Sequence, residues 1–222
     1  ELIDDDGILI STFPDGKAAS VPVVLNGRFD LFSHHVYAGD TEGSPSSTLW
    51  LAVLAAPLGN APVTLQLLLS GSTSLSQATG AGQTQAPFLP LPSLMPETTD
   101  VVASGPGSRV AGDLLAGRSA AELTNRRWSL APGAPTQLLL LPIPVAGLDP
   151  LLNGRNLQLR FHSSGPVALA TLAAHGEDGK APSEQHWLQL LKDQRMSSKE
   201  HQPTPRGCLL YTSDAADEVW GV

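Results

Sequence analysis

The sequence predicts an all-β protein: an antiparallel β-sandwich, jelly-roll-like or Ig-like, with long Pro/Gly-rich loops and one short C-terminal helix. Three observations predict it. Residues 49–69 alternate with a period of two, Leu49, Leu51 and Val53 against Trp50, Ala52 and Leu54, then Val63, Leu65, Leu67 and Leu69 against Thr64, Gln66 and Leu68. Pro57, Gly59, Asn60 and Pro62 divide this stretch into two strands of a central hairpin. Gly 21 and Pro 19 in 222 residues exceed average usage and suit many short strands joined by turns. The clearest helix signal lies far downstream. There Ser183 can cap, Glu184 sits in the first turn, Trp187, Leu190 and Leu191 form an apolar stripe, and Lys192 and Arg195 suit the C-terminus.

The remaining elements follow in order. Asp4, Asp5 and Asp6 form an acidic run that reads as solvated edge charge, because a calcium loop needs converging oxygens and a downstream bidentate carboxylate. Ile8–Phe13 is β-like and closes at Pro14-Asp15-Gly16-Lys17. Asn26-Gly27 predicts a hairpin turn, since both residues tolerate positive φ. Residues 70–108 read as a long loop containing Gly80, Gly82, Pro87, Pro90, Pro92 and Pro96. Residues 110–118 suggest one short helical turn ending at Gly117. Residues 138–145 read as an edge strand with proline breaks at Pro142 and Pro144. Asn153-Gly154-Arg155 repeats the earlier turn. Leu157, Leu159 and Phe161 then alternate with Gln158, Arg160 and His162 as a half-buried strand, before Ser163-Ser164-Gly165-Pro166 turns the chain into 167–173.

The domain organisation expected is a β-sandwich domain over residues 1–195, a polar linker at 196–207 leading to a further C-terminal region, and a non-native tail at 208–222. Residues 208–218, Cys-Leu-Leu-Tyr-Thr-Ser-Asp-Ala-Ala-Asp-Glu, read as the in-frame translation of a transposon-end sequencing adapter, as expected for a truncated metagenomic reading frame. Setting the tail aside removes the single cysteine, and with it any disulfide, thiolate nucleophile or Cys metal site. It also removes three acids, taking the net charge from -8 to -5. Either value argues against a generic nucleic-acid or anionic-membrane binder. No apolar run reaches the length of a membrane helix. The chain starts at Glu1, so a signal peptide is unreadable in it.

The most chemical-looking constellation is Asp30 with His34 and His35. As a strand, residues 28–37 place Phe29, Leu31, His35 and Tyr37 on one face and Asp30, Phe32, His34 and Val36 on the other. Adjacent His side chains therefore point apart and cannot both ligate one ion without a kink, whereas Asp30 could orient His34. Structural histidines are the better reading. Gly105-Pro106-Gly107-Ser108-Arg109 is superficially like a phosphate loop, but Gly-Lys-Ser/Thr is missing and Pro106 lacks a donor, so a tight turn is expected. Trp128, beside Arg126 and Arg127, is the candidate aromatic platform for a glycan; Trp50 and Trp187 are expected to be buried. These give five weak candidates for a binding site: Asp30, His34, His35, Arg109 and Trp128. No catalytic residue, cofactor or metal site is expected, since the sequence carries no Gly-x-Ser-x-Gly elbow and no His-Glu-x-x-His.

An ordered set of motifs resembles the cyanobacterial family known as domain of unknown function 3370. It comprises Gly7-Ile8-Leu9-Ile10-Ser11-Thr12-Phe13, residues 26–35, residues 105–109, Leu141-Pro142-Ile143-Pro144-Val145, Leu152-Asn153-Gly154-Arg155 and Ser164-Gly165-Pro166-Val167. The resemblance implies an exported, extracytoplasmic protein with a longer C-terminal part and transfers no activity. Three functions are weighed. The first is a structural or interaction module of the cell envelope, its partner an envelope protein or polysaccharide. The second is a glycan-binding module. The third is a hydrolase or metal enzyme built on Asp30, His34 or His35.

Overall fold

The structure is a computed structural model that describes residues 2–14, 23–40, 47–68, 71–76, 106–120, 122–177 and 179–198. Among the described residues, nine strands and two helices follow in the order β1 (Leu2–Ile3), β2 (Gly7–Ser11), β3 (Leu25–Ala38), β4 (Thr48–Pro57), β5 (Val63–Leu67), β6 (Ser72–Leu75), α1 (Pro106–Leu115), β7 (Arg127–Leu130), β8 (Thr136–Pro144), β9 (Leu152–His175) and α2 (Glu184–Lys192). The β-rich class is as expected. The two separate antiparallel sheets of a sandwich are not what the hydrogen bonding forms: all nine strands join one mixed sheet, with β1 parallel to β3 and the other pairs antiparallel.

The sheet is organised on β9, a single strand of 24 residues. One edge of β9 pairs with β2 and then β3, from Gly7↔Ala173 to Ala38↔Leu152. Its other edge pairs in succession with β4, β5 and β6, from Leu49↔His175 through Leu67↔Phe161 to Leu75↔Arg155. β8 and β7 line the far side of β4 and β5. So the two strands of 49–69 exist, but they do not form the expected hairpin. They run end to end along β9, and the Pro/Gly-rich residues between them loop out.

The same physics corrects the other turn assignments. Asn26-Gly27 lies inside β3 at a register shift, where Gly27 takes φ +66°, a value its missing side chain permits. Ser163–Pro166 does not turn the chain; it bulges β9 opposite that shift, with Gly27↔Ser163 on one side and Leu25↔Val167 on the other. Asn153-Gly154-Arg155 is plain strand, paired with Tyr37, Val36 and His35. Turn-forming residues are equally the residues that bulges use, so local composition alone cannot separate the two.

Along β9, odd-numbered residues face inward. Leu157, Leu159, Phe161, Val167 and Leu169 join Leu51, Val53, Leu65, Leu139 and Leu141 in the main core. Even-numbered residues face outward, and over Ala168–Ala174 they are apolar. There Ala170, Leu172 and Ala174 pack with Ile8, Ala52 and Leu54 beneath Trp187 and Leu190 of α2. The α2 reading holds: Ser183 caps it by accepting from His186 N–H, and Trp187 is buried. The split of Leu49, Leu51 and Val53 from Ala52 and Leu54 between the two cores also holds. β8 lies at the end of the strand order, as read, with Pro142 and Pro144 in an edge strand.

Three further expectations change. The loop read over 70–108 contains strand β6, and residues 77–105, with all its named prolines, lie outside the described residues. Across the stretches read as a tight turn at 105–109 and a helical turn at 110–118, Pro106–Leu115 form one helix, α1; Pro106 opens it because its missing N–H is an orphan in a first turn anyway. Of the acidic run read as solvated edge charge, Asp4 is exposed, but Asp5 and Asp6 are anchored. Asp5 accepts from Ser197 Oγ at 2.6 Å and Ser198 N–H at 2.8 Å, and Asp6 accepts from the backbone N–H and ring Nδ1 of His175 at 2.9 and 2.8 Å. Residues 196–198 of the stretch read as linker thus form a strap on β2, while 199–222, including the adapter-like tail, lie outside the described residues.

Candidate functional site

β-strand alternation and the register sort the five candidate residues onto different faces. Asp30 and His34 lie on the outward face of β3, and His35 lies on the inward face, buried and paired in register with Arg155. Trp128 is also inward. The alternation of β7 turns Arg127 and Ser129 outward and buries Trp128 and Leu130, with the indole 6.4 Å from the Phe161 ring. A buried Trp128 offers no platform to a sugar, so the exposure on which its candidacy depended is not met. Arg109 lies on α1, above the outward face.

Three of the five therefore share one surface. Cross-strand rows build it, since residues in register stand side by side on one face. In one row, His34 Nδ1 accepts from Asn156 Nδ2 at 3.0 Å, and Ser74 stands beside Asn156. Arg109 Nε donates to Ser74 Oγ at 3.1 Å, and its Nη2 donates to Leu75 O, which ties α1 to this row. In the next row are Phe32, Gln158 and Ser72, whose Oγ donates to Asp113 Oδ2 of α1 at 3.3 Å. The third row holds Asp30 and Arg160, joined by two parallel bonds of 2.8 Å each, Nε to Oδ1 and Nη2 to Oδ2. Asp30 is thus oriented by Arg160. His34 stands four strand residues away, about 13 Å at normal strand rise, so the Asp30–His34 pairing considered from sequence is not what forms.

Electrostatics follow these contacts. The hydrogen bonds from Arg160 hold the Asp30 carboxyl below its usual range, with the Arg28 charge adding to the effect. Burial pushes the His34 imidazole down, favouring the neutral ring that can accept from Asn156. Burial likewise lowers Arg109, against the opposing pull of Asp113.

Between α1 and the sheet, Asp30, Gln158 and Arg160 face Leu114 and Leu115 across an open cleft of about 180 Å³. Phe32 stands beside it at 59% exposure, and Leu115 at 91%. Sequence reasoning missed Phe32, Gln158 and Arg160 as a group, although the alternation already put Phe32 on the face of Asp30 and His34. What it lacked was the β3–β9 register.

On the opposite face, Arg155 is 2% exposed. Its Nε donates to Pro142 O at 2.8 Å, and its Nη1 donates to Thr73 Oγ1 at 2.9 Å and Glu122 Oε1 at 2.6 Å. This staples β9 to β8, β6 and the segment before β7. Among the described residues, no three His, Cys, Asp or Glu side chains gather as metal ligands. No helix among them is long and apolar enough to cross a membrane.

A family described as protein of unknown function (DUF3370) matches residues 1–217. No curated protein and no solved structure matches the chain.

Proposed function

We propose that this chain, which belongs to the DUF3370 family of proteins of unknown function, is a non-enzymatic interaction module of the cell envelope that binds its partner on the outer face of β3 and β9. One observation carries the reading: Phe32, a large apolar side chain, is 59% exposed between Asp30 and His34 on the outward face of β3, beside a helix-walled cleft. Apolar surface presented among oriented polar groups is the usual make-up of a binding site. The titratable groups here are engaged in positioning bonds, Asp30 with Arg160 and His34 with Asn156, which favours recognition over acid–base chemistry. Export, and a cyanobacterial source, rest on the sequence resemblance. The test is co-sedimentation of the chain with a cyanobacterial envelope fraction. Wild-type chain should pellet, and Phe32→Ala with Leu115→Ala should stay soluble at unchanged melting temperature. Equal pelleting of both would reject this face, and no pelleting would reject the module.

A further inference from the structure

The outer face carries a charge opposite in sign to the whole molecule, and that contrast indicates what it binds. The chain has a net charge of -8. Yet the register sets Arg28, His162, Gln66 and Arg127 side by side across β3, β9, β5 and β7, all four exposed. Three inter-strand steps span about 14 Å, so this is a line of planar hydrogen-bonding groups with a guanidinium at each end. One row along, Asp30 is already neutralised by Arg160, and the next row presents Phe32 and Gln158. Among the described residues, Asp30 is the one acid the strands carry on these three rows, and Asp113 of α1 reaches the Phe32 row, where it accepts from Ser72 and pairs with Arg118. The even-numbered face of β9 is apolar where α2 covers it, at 168–174, and polar over 156–164, outside the α2 core.

We infer that this face binds an acidic polysaccharide, one bearing uronate carboxylates or sulfates. Guanidinium groups bind such anions in a bidentate fashion, amide and imidazole groups bond hydroxyls, and an exposed ring stacks on the apolar C–H face of a sugar. A neutral glycan leaves the terminal Arg28 and Arg127 unused. A nucleic acid has the charge to engage them, but Phe32 is a single ring about 13 Å along β3 from Arg28, off the line from Arg28 to Arg127, and gives no base-stacking series along a strand. The inference rests on the reading of this face as the binding surface.

Affinity electrophoresis of the full chain tests it, in gels containing polygalacturonate, neutral dextran or double-stranded DNA. Polygalacturonate should retard the chain, and dextran should not. Phe32→Ala, which changes no charge, should weaken retardation roughly tenfold. Arg28→Gln with Arg127→Gln should abolish it, and all variants should melt as wild type does because every altered side chain is exposed. No retardation by polygalacturonate overturns the ligand class. In that case, Phe32-dependent pelleting with the envelope fraction still supports the module, and its absence removes both. Retardation that survives Phe32→Ala, or that DNA matches, is simple ion exchange and also overturns the inference.

Discussion

The sharpest prediction concerns the buried guanidinium of Arg155. Glu122→Ala leaves that charge at 2% exposure with only Pro142 O and Thr73 Oγ1 as neutral acceptors. Breaking a fully buried ion pair by removing one partner costs about 3–5 kcal/mol. Glu122 itself is 42% exposed, so solvent already screens the pair, and about 2–3 kcal/mol is the reasoned cost. Arg155→Met removes the charge and lets Glu122 rehydrate, but strands Pro142 O and Thr73 Oγ1, at about 1–3 kcal/mol each when left unsatisfied. The two changes act on one contact, so they should not add. The double variant should cost no more than Arg155→Met alone, giving a coupling energy of about 2 kcal/mol. Urea melts of the four proteins complete the cycle. In thermal melts Glu122→Ala should lower Tm by roughly 4–12 °C for a domain of this size. Strict additivity would refute the assignment of Glu122 as the group that compensates the buried charge.

Other variants test separate parts of the fold. Leu67→Ala removes an inward side chain at 2% exposure and should cost about 2–5 kcal/mol in denaturant melts. Gly7→Ala would place a Cβ 2.3 Å from Ser197 N and 2.5 Å from Met196 C. It should displace the strap at about 1–3 kcal/mol and open the chain to proteolysis after Arg195. Burial holds His34 below its unfolded value of 6.5, so between the folded and unfolded values the unfolded chain binds more protons and stability rises with pH. His34→Gln should therefore flatten the rise of Tm with pH in the window that ends near 6.5. Asp6 behaves in the same direction at lower pH. Burial raises it, but the combined hydrogen bonds from His175 outweigh that and hold it below 3.8. The stability it contributes is complete above that value and is lost as pH falls through the folded value, so Asp6→Asn should reduce the acid sensitivity of Tm.

How much of this was legible depends on how local the cause is. Period-two alternation at 49–54 and 157–162 is set by one pleat, and it correctly assigned faces to Leu51, Ala52, Phe161 and Arg160. The Ser183 cap and the Trp187 stripe are similarly local. What failed were the turn and hairpin assignments, which needed a partner strand, whereas the edge position of β8, signalled by its prolines, held. Asn-Gly and Ser-Ser-Gly-Pro were read as turns because a turn is their commonest local use. Which of them bulges instead is decided by the strand lying opposite, and Asn26-Gly27 faces Ser163–Pro166 across one ladder. The face of Trp128 was open in the sequence for the same reason: its exposure would have favoured a glycan platform, and β5 pairing turns the indole toward Phe161 instead. The candidate site suffered most, since its rows exist only in register.

That dependence on register also bears on why the outer face is suited to recognition. Slipping β3 against β9 by one residue would send Leu31 and Tyr37, its own inward side chains, to solvent, so the core fixes the pairing that also builds the rows. Positions on the outward face then inherit a rigid spacing from residues they do not touch. Arg28, Phe32, His162 and Arg127 are exposed and contribute little burial of their own. Replacing them should leave the fold intact while changing the surface it presents. A binding function located there is separable from stability by experiment, whereas the same substitutions at Arg155, Phe161 or Leu159 confound the two. The variants that inform on function are therefore those at the exposed positions Arg28, Phe32, Gln66, Arg127 and His162, and a loss of stability at those positions would mean that the face assignment itself is wrong.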